Sequence, residues 1–162
     1  SGRSIYFPPP VLNELEALYA ELTKPLPVTR ELFTVTIDSE GTRDIDDALS
    51  LEETPDGYQI GIHISDVSRV VPPGSGLEEH AFRRATSIYT PDYMIPMFPP
   101  ELSESALSLV AGEVRPVMSF YLETDRQTAR LRRSGSDADR GGHSRGRTLT
   151  IALPTLGCGI CL

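Results

Sequence analysis

Four aspartates in one short stretch are the residues best suited to chemistry in this sequence: Asp38, Asp44, Asp46 and Asp47. Carboxylates packed this closely repel one another unless a cation neutralises them. Mg²⁺ prefers hard oxygen ligands, and two such ions about 4 Å apart form the common site for phosphodiester hydrolysis. The local pattern favours a two-metal site and a solvated acidic loop about equally, because acidic clusters in loops are commonly just hydrated.

The three histidines of the chain have weaker patterns. His63 lies in an apolar stretch, and a spacing of three along a strand places Asp66 on the opposite face. This spacing favours two hydrogen-bonded structural positions over a catalytic pair. His80 and His143 have no neighbouring residues that suggest a metal site.

The composition is that of a soluble protein with an uneven charge. The chain has 162 residues and a net charge of -8, and it begins with Ser1, which indicates a fragment or a processed product. Residues 1–125 hold 21 acidic and 8 basic residues, whereas residues 126–162 hold 2 acidic and 7 basic ones. No apolar run reaches the ~18 residues of a membrane helix. The only cysteines, Cys158 and Cys161, form no disulfide framework or zinc site, so we expect a reducing cytoplasm.

The acidic stretch is predicted to connect two β-strands. Alternating apolar residues over 32–37 indicate the first strand, and residues 48–51 begin the second. A Pro-Asp-Gly turn at 55–57 then leads into a returning strand with alternating isoleucines over 58–64. The strands would hold the carboxylates on rigid elements, as a metal site requires.

Helices are predicted on either side of these strands. Apolar residues at helical spacing indicate a helix from Val11 to Leu22. Ser75 and Glu78 have the spacing of a capping box at the start of a second helix. Residues 102–109 indicate a short helix and residues 117–122 a further strand. We therefore expect a mixed α/β (α+β) fold of mainly antiparallel, hairpin-linked strands with flanking helices.

The stretch around the aspartates, TIDSEGTRDIDDALS, resembles the signature of the RNB catalytic domain of ribonuclease II, ribonuclease R and the exosome nuclease. The four aspartates occupy the first, seventh, ninth and tenth positions of that signature. The resemblance continues through GIHISDVSRVVPPGS, RRATSIYTPDYMIPMFPPELSESALSL and VRPVMSFYLETD, and it covers residues 31–125.

The resemblance implies an RNB fold and processive 3′-to-5′ hydrolysis of single-stranded RNA to nucleoside 5′-monophosphates. It implies Mg²⁺ as the cofactor, with Mn²⁺ as a substitute, held as two ions by the four aspartates, and Asp46 as the least replaceable of them. Tyr89 corresponds to a family tyrosine near the terminal bases and would stack on RNA, unless its ring simply packs in the core. Arg43 would balance local charge or contact phosphate.

Three segments follow from the extent of the resemblance. Residues 1–30 form an N-terminal extension with an amphipathic helix, residues 31–125 are a partial RNB domain, and residues 126–162 are an unmatched Arg/Gly/Ser-rich tail. A full RNB domain is more than twice as long, so the missing C-terminal part is an expected partner. The tail is interpreted as an out-of-frame or disordered segment, with a genuine basic RNA-binding tail as the rival.

Two functions therefore remain open from the sequence. The first is a metal-dependent exoribonuclease, active or inactive because it is truncated. The second is a non-catalytic RNA-binding module or structural fragment that uses the basic tail.

Overall fold

The computed structural model describes residues 6–22, 24, 30–39, 41–136 and 149–152. The helices are α1 (Pro9–Leu22) and α2 (Gly76–Arg84). The strands are β1 (Arg30–Glu31), β2 (Thr34–Val35), β3 (Asp47–Thr54), β4 (Gly57–Ser65), β5 (Ile88–Tyr89), β6 (Met94–Ile95), β7 (Val114–Asp125), β8 (Leu131–Ser136) and β9 (Leu149–Ala152). A 3₁₀ turn at Val67–Arg69 and a π-helical turn at Leu102–Ala106 complete the elements. The prediction of a mixed α and β fold is confirmed.

The chain divides into two compact units. The first unit contains Ser1–Pro25 and Val67–Ala106, and the second contains Leu26–Asp66 and Leu107–Leu162. The helices and the β5–β6 hairpin belong to the first unit, whereas the acidic stretch belongs to the second.

The second unit is built on a seven-stranded sheet. Its strands follow the order β1-β9-β7-β4-β3-β2, and β8 also pairs with β7. Among the strands that the structure describes, only β1 and β9 pair in parallel, so the sheet is mainly antiparallel as expected. The predicted Pro-Asp-Gly turn joins β3 and β4, with Thr54 opposite Gly57. A Cβ at Gly57 would lie 1.9 Å from the Thr124 carbonyl oxygen, so this turn position has no room for a side chain.

The core of the second unit lies against the acidic stretch. Leu32, Ala48, Leu109 and Val117 form a buried cluster, and the half-buried Ile45 packs against it. Ile45 lies between Asp44 and Asp46 in the sequence. The acidic stretch is therefore attached to the core by an apolar residue in its middle.

The first unit is organised around α2. Ser75 caps this helix by accepting a hydrogen bond from the Glu78 amide. The buried Arg84 near its C-terminus donates to the carbonyl oxygens of Pro96 and Tyr6, and its guanidinium lies 4.1 Å from the centre of the Phe7 ring. These contacts hold the segment before α1 and the segment after β6 on the same helix.

Several elements differ from the sequence prediction in length or type. The predicted strand at 32–37 is reduced to Thr34–Val35, and the short helix at 102–109 is a π-helical turn of five residues. The tail assigned to residues 126–162 begins with a turn and continues as β8, which pairs with β7. Polar and apolar residues do not alternate along β8, so the sequence pattern did not predict this strand. The remaining tail positions discussed above, His143, Cys158 and Cys161, lie outside the described residues.

Candidate metal-binding site

The four aspartates lie in the connection that leads from β2 to β3. Asp38 follows β2, and its Oδ2 atom is buried without a hydrogen-bond partner. Asp44 is half-buried, whereas Asp46 and Asp47 are exposed. Asp47 is the first residue of β3 and lies opposite Ile64 of β4. The sheet therefore fixes both ends of the connection.

Backbone hydrogen bonds fix the second half of this connection. The Ser108 hydroxyl donates to the Arg43 carbonyl and accepts from the Ile45 amide, at 3.2 Å. The Leu109 amide donates to the Ile45 carbonyl at 2.9 Å, and the Ser65 amide donates to the Asp46 carbonyl at 2.9 Å. The peptide groups on both sides of Asp44 are thus bonded to residues that are distant in the sequence.

The carboxylates influence one another electrostatically. Desolvation of the Asp46 carboxyl raises its pKa, and the charges of Asp44, Asp47 and Asp38 raise the pKa further, in that order. Three aspartates therefore lie near enough to Asp46 to disfavour its ionised form. A bound cation would reverse this effect because it stabilises the ionised carboxylates.

The chemistry of these donors fits a hard divalent cation. Four carboxylates supply the oxygen ligands that Mg²⁺ prefers, and the buried Oδ2 of Asp38 lacks any other partner. Within the described residues, however, no three His, Cys, Asp or Glu side chains are grouped so that they could hold an ion. The loop thus supplies suitable ligands, but their side chains are not arranged as a coordination shell.

The two predicted RNA-contacting residues lie in different units. Arg43 is exposed in the acidic loop of the second unit, and its carbonyl oxygen is the acceptor for Ser108. Tyr89 lies on β5 of the first unit with 67% of its surface exposed. Its ring is therefore not packed in the core, which was the alternative to base stacking.

His63 has a structural environment, as its apolar strand suggested. It is fully buried, with Nε2 2.9 Å from the Ser50 hydroxyl and Nδ1 2.7 Å from the Ser119 hydroxyl. Burial, and then the charge of Arg30, lowers the pKa of His63 to about 4. A Cβ at Gly61 would lie 2.6 Å from Nε2, so the neighbouring glycine provides the space for the ring.

Sequence reasoning missed the serines that hold the acidic loop. Ser108 was assigned to a short helix, and Ser65 was given no structural role. For Ser108, the sequence did contain a signal: this polar residue stands between two apolar ones, Leu107 and Leu109. Buried polar groups in such a position need hydrogen-bond partners, but the sequence does not identify those partners.

Comparison with known proteins places this fold and loop in a family. Residues 28–136 match the RNB domain family. The chain is 45% identical over 125 residues to ribonuclease R of Thermotoga maritima, covering 74% of this chain and 18% of that protein. It is 41% identical over 106 residues to exoribonuclease 2 of Pasteurella multocida, covering 60% of this chain and 16% of that protein. The chain thus spans less than a fifth of the length of these relatives.

Solved structures show the same fold. Mycoplasma genitalium RNase R in complex with ribose methylated single-stranded RNA matches with a TM-score of 0.66 and 22% identity, over 90% of this chain and 25% of that chain. Yeast Ssd1, a pseudonuclease, matches with a TM-score of 0.63 and 18% identity, over 94% of this chain and 21% of that chain. None of the described helices is long and apolar enough to cross a membrane. By the extent of its family match, which takes in more than half of its residues, the chain belongs to the RNB domain family.

Proposed function

We propose that this chain is the metal-bearing part of a 3′-to-5′ exoribonuclease that hydrolyses single-stranded RNA to nucleoside 5′-monophosphates. The observation that carries the proposal is the four-aspartate loop, in which desolvation by burial and then the charges of three other carboxylates raise the pKa of Asp46. Membership of a family whose relatives are ribonucleases supports the same reaction class. We assign the reaction to the cytoplasm, because the only two cysteines form no disulfide framework.

Asp38, Asp44, Asp46 and Asp47 would hold the metal, with Mg²⁺ preferred and Mn²⁺ as a substitute. When bound, two such ions supply an activated water and stabilise the leaving oxygen of the phosphodiester. The chain itself contributes the negative charge that attracts the ions and the backbone contacts that hold the loop. Desolvation of the Asp46 carboxyl by burial, and then the charges of the other three aspartates, raises its pKa, and we expect its replacement to affect the site most.

RNA binding would use residues outside this loop. The exposed Tyr89 ring is suited to stacking on a base, which contributes about 1–3 kcal/mol per base. The exposed Arg43 is suited to a phosphate contact beside the aspartates. Because the chain spans less than a fifth of its relatives, the rest of the RNB domain would complete the grip on the RNA 3′ end.

A digest of 5′-labelled and uniformly labelled single-stranded RNA in Mg²⁺ tests the proposal. The intact chain should release 5′-mononucleotides progressively from the 3′ end, and Asp46→Asn should abolish this release. Asp56→Asn is the matched control, because Asp56 is an exposed aspartate in the β3–β4 turn. Release that is unaffected by Asp46→Asn would contradict catalysis by this loop. No release by the unmodified chain with added Mg²⁺ or Mn²⁺ would show that the loop does not act without the rest of the RNB domain.

A non-catalytic RNA-binding module is the second candidate, and exposed arginines favour it. Arg126, Arg130, Arg132 and Arg133 are all exposed on the β7–β8 turn and on β8. Such residues bind phosphates in a salt-dependent manner. RNA binding that persists in Asp46→Asn but falls steeply with salt, without mononucleotide release, would support this function instead.

A further inference from the structure

A fully buried hydroxyl group, that of Ser108, bonds to the acidic loop at two points. We propose that Ser108 is a positioning residue for the metal site, because it fixes the peptide groups on both sides of Asp44 and so orients the Asp44 and Asp46 carboxylates before an ion binds. The inference rests on the proposed metal-dependent function of the loop.

The Ser108 hydroxyl satisfies two backbone groups at once. It donates to the Arg43 carbonyl and accepts from the Ile45 amide, and Ser108 is 0% exposed. A serine hydroxyl has one donor and two acceptor positions, so these bonds use its single donor. An alanine at this position would leave the amide and the carbonyl without this partner, in a place that water does not reach.

Ser108 is itself held in place by its surroundings. The Arg115 Nε donates to the Ser108 carbonyl at 2.9 Å, and the Ser65 hydroxyl donates to the Leu107 carbonyl at 2.7 Å. The Leu109 amide continues the contact by donating to the Ile45 carbonyl at 2.9 Å. Residues 107–109 therefore act as a rigid support, attached to β4 and β7, along the inner side of the acidic loop.

Loss of this support should weaken metal binding, and not only lower the stability of the fold. Asp44 and Asp46 carry like charges and are separated by one residue, so a loop without the support would relax to move their carboxylates apart. Metal binding would then have to restore the ligand positions, at a cost to affinity. Removal of a group that hydrogen-bonds to a metal ligand commonly lowers metal affinity by roughly 10–100-fold.

The test compares Ser108→Ala with Ser119→Ala, a matched loss of a fully buried serine hydroxyl in the same unit. Ser119 bonds to His63 and does not contact the acidic loop in the bonds described above. Mn²⁺ affinity is measured by isothermal titration, and amide hydrogen exchange is followed in residues 42–47 without metal. Ser108→Ala should bind Mn²⁺ at least about tenfold more weakly and exchange faster in this stretch. Ser119→Ala should change neither.

Each result supports or overturns the inference. Equal Mn²⁺ affinity in Ser108→Ala and the unmodified chain, or an equal loss in Ser119→Ala, would overturn it. If Ser108→Ala does not fold, Ser65→Ala removes only the bond to Leu107 and should weaken Mn²⁺ binding to a smaller extent, and unchanged affinity there would overturn the inference. If the unmodified chain binds no Mn²⁺, the metal function fails, whereas unchanged hydrogen exchange in Ser108→Ala would refute the support itself.

Discussion

Among the titratable residues that the structure describes, His63 is the most completely buried. Its ring nitrogens share hydrogen bonds with two hydroxyls of the same sheet, those of Ser50 on β3 and Ser119 on β7. Burial lowers the pKa of His63 to about 4 in the folded chain, below the ordinary value of 6.5. Between these two values the unfolded chain binds more protons, so the free energy of unfolding falls as the pH falls.

This linkage gives a pH prediction at the scale of one residue. We expect the His63 contribution to the free energy of unfolding to be complete above pH 6.5 and to decrease by roughly 1.4 kcal/mol per pH unit as the pH falls towards 4. Urea unfolding between pH 7.5 and 4.5 should therefore show a shallower pH dependence for His63→Gln than for the unmodified chain. The difference between the two pH profiles reports the contribution of His63, because Asp46 and His80 titrate in both proteins. Parallel pH profiles would contradict the prediction.

Single residues were predictable from the sequence only where their partners are close in the chain. The four aspartates stand within one short stretch, so their repulsion could be inferred directly. The partners of His63 and Ser108 come from strands and segments that are far apart in sequence, such as Ser119, 56 positions from His63. These pairs depend on strand register, which spacing along one element does not report.

At the scale of elements, helix α2 has the start that the sequence predicted. Ser75 accepts a hydrogen bond from the Glu78 amide at 3.0 Å, as in a capping box. The second hydrogen bond differs from that of a capping box: the Glu78 carboxylate accepts from the Gly74 amide rather than from the Ser75 amide. The positive φ of 80° at Gly74 accounts for this turn before the helix.

The cap is testable by a pair of substitutions. Ser75→Ala should lower the free energy of unfolding by about 1 kcal/mol, because the Glu78 amide loses its acceptor. Ser75→Asp keeps an acceptor oxygen at this position and should retain most of the stability. Thermal and urea unfolding, followed by circular dichroism, measure both variants. An equal loss in the two variants would show that the hydrogen bond does not account for the effect.

Elements were predictable where local turn chemistry and alternation agree. The β3–β4 hairpin has both, a Pro-Asp-Gly turn and alternating apolar residues, and it was correctly identified. Strand β8 has neither, since its formation depends on pairing with β7 and its residues are mostly exposed. The π-helical turn at Leu102–Ala106 was taken for a short helix because its apolar spacing does not distinguish the two.

At the scale of the whole molecule, the sheet of the second unit has one buried face, with polar and apolar residues, and one face that carries exposed apolar side chains. Strand β4 shows this division: Gln59 and His63 are buried, whereas Ile64 is 39% exposed. The register places Leu51 beside Ile60, and Ile62 beside Phe120, so these side chains share one face, on which Leu51 and Phe120 are exposed and the two isoleucines are half-buried. Exposed apolar side chains that lie side by side favour association and aggregation.

The exposed sheet face should therefore control the solubility of the isolated chain. Leu51 is 62% exposed, so Leu51→Lys should change the free energy of unfolding by no more than about 1 kcal/mol while it lowers dye binding and self-association. Phe82→Lys is the matched control, because Phe82 is 83% exposed but lies on α2 of the first unit. Light scattering and binding of an apolar dye, measured across a concentration series, compare the two variants. If both substitutions reduce association equally, general charge rather than this face determines solubility; if only Leu51→Lys does, the uncovered face of the sheet is the cause.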